Sequence, residues 1–128
     1  MKLLLDTHTF LWLAVGSSRL SATANTAIGD RANEVLVSAA SAWEVSTKSR
    51  LGKLPGGEAI LLRFEATISD IRATQLPVSV GHGLLAGSFP TDHRDPFDRM
   101  LAAQAGIEGA VLVTSDPAFA RFPVSTLW

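Results

Sequence analysis

Short apolar runs alternating with amphipathic, helix-like stretches predict an α/β fold, a three-layer α/β/α sandwich around a mainly parallel central sheet. Two observations carry this reading. Lys2 to Leu5 (KLLL), Glu34 to Ser38 (EVLVS) and Ala110 to Val113 (AVLV) are short, continuously apolar or β-branched runs, the signature of buried strands. Between them lie stretches whose apolar residues recur at helical spacing, opened by serines or acids and closed by glycines.

Taken in order, the first strand ends at Asp6, and a helix over Thr9 to Val15 follows, with Phe10, Leu13 and Ala14 on one side and Gly16 as its stop. Ser21 is the expected N-cap of a second helix running to about Arg31. After the Glu34 to Ser38 strand, Ser41 is expected to open a third helix over Ala42 to Leu51, closed by Gly52. Glu58 to Ile71 predicts one amphipathic helix with a stripe of Ile60, Leu61, Phe64 and Ile68. Gln75 to Val78 reads as a weak strand interrupted by Pro77, and Ser79 to Ser88 as a helix with internal glycines. Pro90 to Arg94 is loop. Pro96 to Ala105 has the clearest start of all, Asp95 as N-cap and proline at the first helical position, with Gly106 or Gly109 as its end. The Ala110 to Val113 strand leads to Thr114, Ser115 and Asp116, and Val124 to Leu127 can add an edge strand.

The 128 residues fit one domain, 1–128, with enough apolar content (47%, against 18% charged) for a core that needs no staples. With no cysteine there is no disulfide framework and no thiolate metal site. The opening MKLLLDTHTFLWLAV is too interrupted by Asp6 and His8 for a signal peptide, and no apolar run nears the roughly 18 residues of a membrane span, so a soluble, cytoplasmic protein is expected. A formal net charge of −1 provides no global field to attract nucleic acid. Contact with RNA or DNA then rests on local cations such as Lys48, Arg50 and Lys53, or on metal ions.

Four acids stand where a helix begins or has just begun: Asp6, Glu44, Asp98 and Asp116. In an open parallel sheet, the carboxyl ends of the strands share one edge, where such folds place their ligands. Carboxylates brought that close repel unless they share a proton or a cation, so their convergence points to an all-oxygen metal site. Each also has a structural explanation. Asp6 and Asp116 suit helix caps, an interaction of typically ~1 kcal/mol. Ser41-x-x-Glu44 matches a capping box. Asp98 in a first helical turn gains from the helix dipole. Asp95 is explained by its cap role before Pro96, and serves at most to support the ligands. Lys48, one turn after Glu44, either pairs with it or faces a phosphate. Thr114 or Ser115 can orient a carboxylate or a water. His8, His82 and His93 lack metal-ligand spacing, and Trp12, Trp43 and Trp128 are expected to be packing residues.

The ordered set LLLDTH, SAWEVSTKSRLGKL, HRDPFDRMLAAQA, LVTSD and the terminal VSTLW resembles the PIN-domain ribonucleases, closest to the VapC-type toxins of toxin–antitoxin pairs. By that resemblance, Asp6, Glu44, Asp98 and Asp116 match the family's four acids, and Thr114 the hydroxyl residue beside the last. The resemblance implies Mg²⁺ as cofactor, with Mn²⁺ able to substitute, and endonucleolytic hydrolysis of RNA that inhibits translation. It also implies a cognate antitoxin partner and a homodimer. Two other readings compete with it. A phospho-acceptor receiver domain is disfavoured because Thr7 and His8 follow Asp6 where a second acid belongs, and Pro117 to Ala120 contain no lysine. A catalytically silent PIN-like binding module would use the acids only as caps.

Overall fold

A computed structural model describes all 128 residues. Its sheet has five strands, all parallel, in the order β3-β2-β1-β4-β5: β1 (Lys2–Leu5), β2 (Glu34–Ser38), β3 (Thr74–Leu76), β4 (Val111–Val113) and β5 (Thr126–Leu127). Seven α-helices join them: α1 (Thr7–Val15), α2 (Ala22–Gly29), α3 (Ala39–Arg50), α4 (Gly57–Leu62), α5 (Phe64–Asp70), α6 (Val80–Ser88) and α7 (Pro96–Glu108). A short 3-10 turn over Pro117–Arg121 follows β4.

β1 is central, and its leucines show why it carries no polar alternation. Side chains of a strand point alternately to opposite faces. Leu3 and Leu5 enter one core with Phe10, Val35, Val37, Val45, Phe64, Ile68 and Val113, while Leu4 enters the other with Leu36, Leu101, Leu112, Phe119 and Phe122. A strand covered by helices on both faces must be apolar throughout. This is the predicted three-layer sandwich.

The later strands add on both sides of β1, β2 and then β3 on one side, β4 and then β5 on the other. A crevice opens at the carboxyl ends of neighbouring strands where the winding reverses, here between β1 and β4. Asp6 follows β1 and Thr114 follows β4 at that point, and the Asp6 N–H donates to the Val113 carbonyl at 3.1 Å.

Two expectations need correction. The helix after β2 starts at Ala39 with Ser38 as its N-cap, whose Oγ accepts from the Ala40 N–H at 2.9 Å. The strand passes into the helix without a loop, so Ser41 lies inside the first turn and no Ser41–Glu44 capping box forms. The stretch Glu58 to Ile71 is two helices, broken at Arg63 (φ −108°). The break leaves Leu62 89% exposed while Phe64 and Ile68 reach the core. Close packing also fixes the start of α4, because a Cβ on Gly57 would lie 2.9 Å from Ser49 Oγ. Of the two ends expected for α7 the second is used: the helix runs past Gly106 to Glu108 and stops at Gly109, whose φ of +63° favours glycine.

Candidate functional site

Asp6 caps α1, its Oδ1 accepting from the His8 N–H at 3.0 Å, as the cap reading expected. Its second oxygen accepts from the Thr114 hydroxyl, a bond across the β1/β4 reversal. Asp6 is thus buried with both oxygens engaged. Burial pushes its pKa up and the nearby Glu44 charge adds to the rise, against the opposing pull of the Thr114 and His8 hydrogen bonds and the His8 charge.

Glu44 projects from α3 into the same region and is also buried. Thr7 Oγ1 lies 2.7 Å from Glu44 Oε1 and 2.9 Å from Ser41 Oγ. A threonine has a single hydroxyl proton, so Thr7 donates to the carboxylate and accepts from Ser41. Lys48 Nζ donates to the other Glu44 oxygen as an i,i+4 pair. Burial alone would lower the Lys48 pKa, but the bond and charge of Glu44, with the charges of Asp95 and Asp98, raise it. Thr7 and Ser41 are support residues that the sequence reading missed. Their signal was available: a hydroxyl residue directly after the first acid, and a serine three residues before the second.

On the other side of the crevice, Asp95 caps α7, with Oδ1 accepting from Phe97 and Asp98 N–H groups at 2.9 and 3.2 Å. Asp98, in the first turn, bonds His93 Nε2 through Oδ2 at 2.9 Å. Burial, then the charges of Asp95, Asp6 and Asp116, push Asp98 up to about 6 despite that bond. His93 therefore belongs to the site as a hydrogen-bond partner of one of its acids, a role that its lack of metal-ligand spacing did not reveal. The other two differ: His82 is buried between Ser79 and Glu108, and His8 is exposed. Asp116 caps the 3-10 turn, accepting from the Ala118 N–H at 2.9 Å, and its own N–H donates to Thr114 Oγ1 at 3.0 Å.

Arg99, also absent from the sequence reading, holds the loop that presents His93. Its guanidinium donates to the carbonyls of Ala86, Gly87, Phe89, Thr91 and His93, at 2.7 to 3.4 Å. One side chain thereby satisfies two carbonyls at the end of α6 and three of the irregular segment that follows it, a task suited to arginine's fixed fork of donors.

The electrostatics join these groups into one neighbourhood. Asp6 feels Glu44, Asp98 feels Asp95, Asp6 and Asp116, and Lys48 feels Glu44, Asp95 and Asp98. All four sequence-selected acids, with Thr114, Asp95 and Lys48, come together at one sheet edge. Their donor chemistry is hard oxygen, the kind that suits Mg²⁺ or Mn²⁺. No three acidic or imidazole side chains are spaced as a ready-made cage for an ion. Mg²⁺ needs none, since it commonly keeps several waters and binds through one or two carboxylates plus substrate phosphate.

Comparison with known proteins agrees with this architecture. A chain in the crystal structure of VapBC2 from Rickettsia felis bound to a promoter DNA fragment superposes with a TM-score of 0.72 at 19% identity, covering 100% of this chain and 98% of that one. A chain of VapBC-1 from nontypeable Haemophilus influenzae gives a TM-score of 0.59 at 20% identity, covering 94% and 92%. A domain of a functionally unknown protein from Methanocaldococcus jannaschii gives 0.58 at 17% identity, covering 99% and 89%. At these identities the likeness is one of fold. No curated protein matches the chain by sequence. The family model described as the PIN domain matches residues 3–124, nearly the whole length, and the chain belongs to the PIN domain family.

Proposed function

We propose that this protein is a Mg²⁺-dependent endoribonuclease that hydrolyses RNA phosphodiester bonds. The carrying observation is the gathering of Asp6, Glu44, Asp98 and Asp116 at the β1/β4 reversal, with Asp98 raised to about 6 by burial and by its acidic neighbours. Such a cluster holds excess negative charge that a divalent cation would offset. Asp6, Asp98 and Asp116 would hold the ion, with Glu44 binding it or orienting a water. A bound Mg²⁺ supplies charge neutralisation at the phosphate and lowers the pKa of a water.

The chain's own residues do the positioning. Thr114 and the His8 N–H fix the Asp6 carboxylate, and Thr7 and Lys48 fix Glu44. The Lys48 ammonium, partly exposed, would meet a phosphate as well as Glu44. Single-stranded or looped RNA is the natural substrate, since its bases are accessible.

Membership of the PIN family and the likeness to chains of VapBC complexes support a toxin that inhibits translation, neutralised by a cognate antitoxin and acting as a homodimer in the cytoplasm. No helix is long and apolar enough to cross a membrane. The test is incubation of the purified chain with total RNA, with Mg²⁺, with Mn²⁺ and with chelator, beside Asp6→Asn. Cleavage by the wild type with either metal and by neither control is expected. Retained metal-dependent cleavage by a folded Asp6→Asn chain overturns the assignment.

The absence of a ready-made three-ligand cage favours one competing reading, a silent module whose acids only cap helices. Titration calorimetry with Mn²⁺ separates the two, because Asp98→Ala abolishes binding only where a metal site exists.

A further inference from the structure

Trp43 is 61% exposed, although it lies on α3, whose neighbouring residues Glu44 and Val45 are buried. Its indole meets the half-buried Phe97 ring edge-on, with centroids 4.7 Å apart and planes at 72°. Trp43 directly precedes Glu44, and Phe97 directly precedes Asp98. The contact therefore ties α3 to the start of α7 one residue before each of two site acids. The packing expected of the tryptophans is met on one side only: the ring meets Phe97 and is otherwise left in water, next in sequence to a site acid. The following turn adds no cover, since Ser46 and Thr47 are small and Ser46 is itself exposed. The Phe97 edge holds the ring in place, so little freedom remains to be lost when something settles on its open face.

The charge balance gives that face a task. The chain carries a formal −1, and five carboxylates crowd the crevice. A polyanion gains no general attraction from such a surface. Stacking of a base on an aromatic ring is insensitive to that repulsion and to sequence, because every base has a π-face. We propose that Trp43, braced by Phe97, is a stacking platform for an unpaired RNA base near the scissile phosphate, and that it supplies much of the substrate affinity the charges withhold. The inference rests on the nuclease reading and assigns that site a substrate-positioning residue.

The experiment compares the full-length wild type, Trp43→Ala and Trp43→Phe, all expected to fold because the ring is exposed. Each is titrated in chelator with a fluorescein-labelled single-stranded RNA of about 12 nucleotides. An abasic oligomer of the same length is titrated in parallel. Trp43→Ala should weaken RNA binding roughly ten- to hundredfold, and Trp43→Phe should recover most of it. The abasic oligomer should bind weakly to the wild type and no more weakly to Trp43→Ala. In Mg²⁺-dependent cleavage, the alanine variant should raise KM with kcat little changed. Equal RNA affinity of wild type and Trp43→Ala overturns the platform. So does a loss confined to self-association or to protein-partner binding, which would make the ring part of a protein interface. Failure of the wild type to cleave any RNA counts against the nuclease reading instead, and the binding titration separates that outcome.

Discussion

Asp6 and Glu44 occupy the strand side of the crevice, 5% and 4% exposed, and their oxygens are held by Thr114, His8, Thr7 and Lys48. Asp98, across from them at the start of α7, has a side chain 17% exposed, held by His93, which is itself presented on an irregular loop. The first half is fixed by neighbours that belong to the sheet and its first helices. The second depends on a loop tied down by Arg99. The residues that define the geometry on the strand side therefore differ in kind from those across the crevice, where one arginine holds the loop that presents His93.

The sharpest way to break the comparison is Asp6→Asn. If the strand side defines the site, cleavage should fall by about 10²- to 10³-fold, matching several kcal/mol of lost transition-state stabilisation, with the circular dichroism spectrum unchanged. For Asp98 the expected effect is on stability. Its carboxyl is raised from 3.8 to about 6 by burial and acidic neighbours. Between those values, the folded chain keeps a proton that the unfolded chain has released. Stability therefore falls as pH rises through the window, and the penalty is complete above about 6. Asp98→Asn removes that penalty, and denaturant titration near neutral pH should find it more stable by at most about 3 kcal/mol, with the gain vanishing in acid. Mg²⁺ should likewise raise the melting temperature of the wild type near neutral pH and do so much less in acid; equal shifts at both would argue against a shared cation site.

Thr114→Val tests whether orientation of Asp6 matters apart from its charge. The hydroxyl does not itself meet a phosphate, yet its loss should lower activity about 10- to 100-fold, as removal of outer-shell partners commonly does. The smallest effect belongs to a control far from the crevice. Ser79 caps α6, accepting from the His82 N–H at 3.1 Å, so Ser79→Ala should cost ~1 kcal/mol in a melting experiment and leave cleavage rates alone.

The same contrast explains what could be read from the chain. β1 and β2 are legible to the residue because continuous apolar runs between turn residues have no competing interpretation. Asp95, Pro96 and Gly109 mark α7 through local chemistry alone. Asp6, Asp98 and Asp116 were found because each stands at a helix start, Glu44 because it was expected to although it lies in the second turn of α3, and Thr114 because it adjoins one of them. Thr7, Ser41, His93 and Arg99 were missed because their roles come from partners elsewhere in the chain: Thr7 bonds a glutamate 37 positions away, and Arg99 spans a loop by its backbone carbonyls, which carry no side-chain signal. The break at Arg63 was hidden for a similar reason, since no glycine or proline marks it and core packing sets where Phe64 must turn inward.

The bond between Thr114 and Asp6 joins residues 108 positions apart. Contacts of such sequence separation are late to form, because the intervening chain must be ordered first. During synthesis, β1 is made well before the residue that orients its aspartate, with β2, β3 and all seven helices between them. A nascent chain stopped before Thr114 carries the first acid without its orienting partner, and lacks β4 against which β1 pairs. Assembly of the crevice thus waits until Thr114 has been made, and a chain stopped before it has no competent site.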